Sequence, residues 1–135
     1  MDNITTIFLL LVAFQLKHFI ADYPLQNQYM LGKMKVTGWI QPLAAHTTVH
    51  ACFTAIIVLW FCILSDQHTL AVVLAPTLAL ADFVIHFTVD RIKASPKLGG
   101  SFTPTQPYFW WALGADQMAH HLTHYVFIYI LISNL

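Results

Sequence analysis

Asp82, His86 and Asp90 stand four residues apart inside a long apolar run that begins near Leu70. On an α-helix this spacing stacks the three side chains on one face. A carboxylate inside a lipid-length apolar helix is costly and demands a partner. The same spacing recurs in each of the other apolar stretches: His18 with Asp22, His46 with His50, and Asp116 with His120 and His124, with Gln117 and His121 beside them. Imidazole and carboxylate together suit zinc, iron, manganese or nickel. Helix bundles build such sites from carboxylate–histidine pairs on facing helices, and Asp82-x-x-x-His86 and Asp116-x-x-x-His120 repeat one pattern on two segments. His46-x-x-x-His50 is the spacing that lets two imidazoles grip one ion.

These residues are expected to form a divalent transition-metal site, with zinc the first choice. Its ligands would be His18, His46, His50, Asp82, His86 and His120. Asp90, Gln117 and His121 would orient them. A bound ion would acidify a water molecule into a nucleophile near neutral pH. A carboxylate, Asp22 or Asp116, would serve as the general base. No Ser or Cys stands beside a His in a way that suggests nucleophilic catalysis.

Plainer readings stand beside this one. A single intramembrane His can hydrogen-bond across helices, and an Asp–His or Asp–Lys pair can staple two of them. Asp90 with Lys93 is expected to be such a pair, near the interface. Lys17, at the end of its apolar run, is expected to snorkel to the interface. His124 lies a turn deeper and is expected only to pack. His68 is expected to be a solvated helix start. A purely structural cluster remains an alternative, as does a metal-ion or proton path. A path would require an oligomer, because four helices are few for transport, and the outer halves of the spans hold almost no ionisable residues.

The elements that carry these residues follow from composition. Of 135 residues, 58% are hydrophobic and 9% are charged, against roughly 25% charged in a soluble domain. A chain this short cannot bury so much apolar surface in an aqueous core, so the lipid bilayer is its expected environment. Lys+Arg and Asp+Glu both total 6, which excludes the basic patch of a nucleic-acid binder. Cys52 and Cys62 are read as core thiols. The N-terminal run lacks a basic region and a small-residue cleavage site, and is read as a retained span.

The expected fold is all-α, an integral-membrane four-helix up-down bundle in a single domain over 1–135, with spans at about 4–22, 42–64, 68–93 and 108–132. Pro24 stops the first span, Pro42 opens the second, and Pro76 is expected to kink the third. The stretch 25–41 mixes Lys33 and Lys35 with Tyr29, Met30, Leu31, Met34 and Trp39, which fits an interfacial amphipathic helix or an ordinary loop. Lys17, Lys33 and Lys35 flank the first connection, and Arg91, Lys93 and Lys97 the third. All positive charge thus falls on one side, which the positive-inside rule makes cytoplasmic, with both termini on the other. Given that topology, all four polar stripes share the cytoplasmic leaflet and should face one another.

The block His18-Phe19-Ile20-Ala21-Asp22-Tyr23-Pro24-Leu25-Gln26, with His46-x-x-x-His50, Asp82 to Lys93 and Asp116-Gln117-x-x-His120, resembles an uncharacterised, domain-of-unknown-function family of small bacterial and phage membrane proteins. The resemblance covers nearly the whole chain. It implies a multi-pass protein of the bacterial inner membrane, or a phage-encoded one in its host's. It also adds Gln26 and Lys93 to the residues expected to support the site. A looser similarity, in residue types and setting only, is to membrane-bound metal-dependent hydrolases. A site in the cytoplasmic leaflet suggests an amphiphilic substrate or one entering from the cytoplasm, small or lipid-linked.

Overall fold

The computed structural model describes residues 3–134. Four α-helices carry the chain: α1 (Asn3–Asp22), α2 (Ile40–Leu64), α3 (His68–Ala94) and α4 (Pro107–Ser133). No strand occurs among the described residues. The helix ends follow local chemistry. α1 stops at Asp22, two residues before Pro24, which disfavours helical backbone in the residue preceding it. α2 starts at Ile40, a little before the proline at 42 that was expected to open it. Pro42 stays within the first turn, where no intrahelical N–H is lost. Pro107 opens α4. Between α2 and α3 the chain reverses at Asp66, whose φ of 57° is left-handed backbone that a short polar side chain tolerates. The Gln67 amide then closes onto the Cys62 carbonyl at 2.8 Å.

Helix α2 packs on α1 and α3, and α4 packs on α3 and α1, closing a ring. Neighbours run antiparallel, as their contacts show. Along α1, Phe14, Lys17 and His18 meet Phe127, His124 and Gln117 of α4 in descending order. Along α3, Asp82 and Asp90 meet Thr54 and His46 of α2.

One half of the interior is apolar, built from Leu10, Phe14, Val58, Phe61, Leu78, Phe127 and Leu131. The other half holds the buried histidines and aspartates. The outside is the reverse of a soluble protein's. Ile4, Val72 and Tyr129 are each more than 70% exposed, and large apolar side chains stay exposed on all four helices. Apolar surface of this extent requires a cover. The stretches Asn3–Asp22, Ile40–Leu64 and His68–Ser101 are long and apolar enough to cross a membrane. The sequence led us to expect four spans. α4 matches α3 in length, but Asp116, Gln117, His120, His121 and His124 dilute its apolar content.

Both connections at the polar end fold back onto the bundle. The interfacial helix considered for 25–41 is reduced to a single 3-10 turn, Met30–Met34. Asn27 Oδ1 accepts from the Met30 amide at 3.0 Å, a turn that competes with helix. Gly38, at φ 69°, breaks the far side. Gly32 packs so closely that an added Cβ would come within 2.9 Å of the Pro42 ring. Arg91 then straps the stretch to α3: its guanidinium donates to the Lys33 carbonyl at 3.0 Å and lies 3.8 Å from the Trp39 ring centre.

Candidate metal centre

The polar stripes are buried because four-residue spacing holds them on the inward face of each helix. On α2, His46, His50 and Thr54 continue directly into Ile57, Val58 and Phe61. On α4, Asp116, His120 and His124 lead into Phe127, Ile128 and Leu131. On α3, Asp82, His86 and Asp90 lie on the face carrying Ala71, Ala75 and Leu78. The four stripes converge at one end of the bundle.

Three trios of candidate ligands result: Asp22, His46 and His50; Asp90, Asp116 and His120; and His18, His86 and His124. In the first, Asp22 Oδ1 is 3.2 Å from His50 Nε2 and 3.4 Å from His46 Nε2. In the second, His120 Nε2 is 3.0 Å from Asp90 Oδ1 and 3.4 Å from Asp116 Oδ1. Bonds of 2.0–2.1 Å in a tetrahedral zinc site put neighbouring ligand atoms roughly 3.3 Å apart, so both spacings match a coordination shell. They also match hydrogen bonds. His46 Nδ1 and Nε2, His50 Nδ1, His86 Nε2, His120 Nδ1 and Asp116 Oδ1 are buried with no hydrogen-bond partner among the described residues. Each such group costs about 1–3 kcal/mol if left unsatisfied. The donor set fits a divalent transition ion.

Lys17 changes the picture at the deep end. It was expected to snorkel to the interface, yet it is 2% exposed and points into the bundle. Its Nζ lies 2.7 Å from Asp82 Oδ2 and 3.2 Å from His124 Nε2. The reason is positional: Leu10, Phe14, Lys17 and Ala21 form one buried stripe on α1, and Asp82 waits opposite. Thr54 Oγ1 also donates to Asp82 Oδ2, at 2.8 Å. The other Asp82 oxygen is 3.1 Å from His86 Nδ1. Asp82, expected as a ligand, therefore lies outside the three trios and is held by Lys17, Thr54 and His86.

Asp90 departs from its expected role in the other direction. Rather than an interfacial partner for Lys93, it is 6% exposed at the heart of the cluster. Its Oδ2 meets Lys33 Nζ at 2.7 Å and His46 Nε2 at 3.1 Å, while Oδ1 meets His120. Lys93 pairs instead with Asp116, at 3.3 Å. His18 Nε2 lies 3.1 Å from Asp22 Oδ2 and 3.2 Å from Gln117 Oε1, and Gln117 Nε2 donates to Asp116 Oδ2 at 3.0 Å. His121 turns to the rim, 2.8 Å from Gln15 Nε2. His124 does more than pack, since it meets Lys17 and stacks on Phe14 at 5.0 Å between ring centres. His68 is solvated at the far end, as expected.

Sequence reading passed over Lys17, Thr54 and Lys33. The signal for the first two was present: each lies on the buried stripe of its helix. Lys33 had none, because the loop that carries it is positioned by contacts far away in sequence.

Above the trios lies a cleft of about 370 Å³. Its lining includes Asp22, Asp90 and Asp116, the lysines Lys33 and Lys93, Gln26, and the apolar Phe102, Phe109 and Leu113. The ring is thus open to small molecules at its polar end.

A family model described as a protein of unknown function (DUF3307) matches residues 9–135. No curated protein matches the chain, and no solved structure does.

Proposed function

The chain belongs to the DUF3307 family, and from that footing we propose that it is a multi-pass inner-membrane protein, bacterial or phage-encoded, whose His/Asp cluster binds a divalent transition metal, zinc first, and hydrolyses a small or lipid-linked substrate. In this reading α4 also crosses the bilayer, both termini are non-cytoplasmic, and the cleft opens toward the cytoplasm. The observation that carries the proposal is the Asp22–His46–His50 trio: its ligand atoms are ligand-spaced, both imidazoles are fully buried, and Asp22 lines an open cleft.

Bound there, the ion would acidify a water molecule. The protein's own residues do the rest. Asp22, His46 and His50 hold the ion. Asp116 lines the same cleft as Asp22, so with a single ion it is the carboxylate that would take the water's proton. His18 and Gln117 hold the carboxylates of Asp22 and Asp116 in orientation. Lys17 and Thr54 fix Asp82, and Asp82 holds His86 by Nδ1, which leaves Nε2 directed at the cluster. This is the carboxylate–histidine arrangement that tunes metal ligands. The apolar lining of Phe102, Phe109 and Leu113 accommodates the greasy part of a substrate.

A transport reading has less support. Beyond Lys17 the described interior is mainly apolar, filled by Phe14, Phe61, Phe127 and Leu131.

The test is elemental analysis of the protein purified in mild detergent. Wild type should carry stoichiometric metal, and His46→Ala/His50→Ala should lose it. Wild type purified without metal, and unable to take it up, refutes the reading. Metal-loaded protein is then assayed for hydrolysis of lipid-linked esters, with Asp116→Asn expected to abolish turnover.

A further inference from the structure

Asp90 is the residue whose geometry exceeds what a single ion needs. Its two oxygens face two different imidazoles: Oδ2 lies 3.1 Å from His46 Nε2 of the first trio, and Oδ1 lies 3.0 Å from His120 Nε2 of the second. The two trios draw on separate carboxylates, Asp22 and Asp116, and separate helices. Each contains a buried ligand atom that meets a facing group at ion-pair distance without forming a hydrogen bond: His46 Nε2, 3.1 Å from Asp90 Oδ2, in the first, and Asp116 Oδ1, 3.4 Å from His120 Nε2, in the second. We infer that the cluster is a two-ion centre in which Asp22, His46 and His50 hold one divalent transition ion, Asp116 and His120 hold a second, and Asp90 bridges them. The inference rests on the proposed metal reading and deepens it, with Asp116 serving as a ligand of the second ion in place of the free base that a one-ion site would use.

The charges are consistent with this. Among the described residues, Asp22, Asp82, Asp90 and Asp116 face the three ammonium groups of Lys17, Lys33 and Lys93. Lys17 is committed to Asp82 at the deep end, with its side chain 1% exposed. Lys33 and Lys93 line the open cleft and can turn toward solvent or an anionic ligand when ions take their carboxylates. The same reasoning excludes a third ion on His18, His86 and His124. There the Lys17 ammonium is 3.2 Å from His124 Nε2, has no route to solvent, and repels a cation. Carboxylate-bridged ion pairs clamp both the attacking and the leaving oxygen of a displacement, a role that fits the lining of an open cleft.

The experiment loads detergent-purified protein with zinc or with manganese alone. Wild type should bind two equivalents per chain, and the manganese form should show the broadened paramagnetic resonance of a coupled pair. Asp22→Asn and Asp116→Asn should each retain about one equivalent, with the resolved six-line signal of an isolated ion. Asp90→Asn should weaken one of the two ions by roughly 10–100-fold or more and uncouple the rest. One equivalent in wild type, or one that persists unchanged in both Asp22→Asn and Asp116→Asn, overturns the two-ion centre while leaving a metal site in place. Should a variant fail to fold, the stoichiometry and coupling of wild type decide alone. Wild type that takes up no metal overturns both readings. Two coupled ions without any hydrolysis remove only the hydrolase assignment.

Discussion

Replacing Lys17 by Met keeps the length of the aliphatic stem and deletes the ammonium. Asp82, fully buried, is left with the Thr54 hydroxyl and His86 but without its counter-charge at 2.7 Å. Breaking one side of a buried ion pair costs about 3–5 kcal/mol, because the remaining charge stays desolvated and uncompensated. In an Asp82→Asn background the carboxylate is gone and Lys17 is the stranded charge, so adding Lys17→Met there removes a liability. It should then cost nothing or stabilise. The sign reversal between backgrounds is the signature of direct coupling. Equilibrium unfolding in mixed micelles of mild detergent and dodecyl sulfate, followed by helical circular dichroism, reads both effects. A Lys17→Met cost below about 1 kcal/mol, equal in the two backgrounds, would refute the argument, since a surface pair is worth no more than that. Lys17 would then reach the interface, as its position near a helix end suggests.

Two further predictions concern the connections. Gly32→Ala places a methyl within 2.9 Å of the Pro42 ring. The ring cannot rotate away, so the loop must shift, at about 1–3 kcal/mol, and limited proteolysis between Leu25 and Trp39 should speed up. Asp66→Gly relieves left-handed backbone at φ 57° and should raise stability by about 0.5–1 kcal/mol. The ion pair it gives up with His68 is too exposed to offset that gain. A drop in melting temperature would contradict the assigned turn.

Much of this protein was determined by local pattern. Apolar runs, the first two bounded by Pro24 and Pro42, located the helices to within a residue or two. Four-residue spacing alone put His46 with His50, Asp82 with His86, and Asp116 with His120 on shared faces, because helical periodicity depends only on sequence separation. The tertiary structure decided the roles within the cluster. Lys17 belongs to a helix end by position and to the interior by stripe, and only Asp82 across the bundle selects the second. Asp90 has Lys93 nearby in sequence, but the packing of α2 and α4 presents His46 and His120 to it instead, and a loop returning from residue 33 supplies the lysine. The cleft could not be read in the chain at all. It exists where the turn at Met30–Met34 and the Gly99–Ser101 turn fold back on α3, and the first of these links residues 57 positions apart, Lys33 and Asp90, that no period relates.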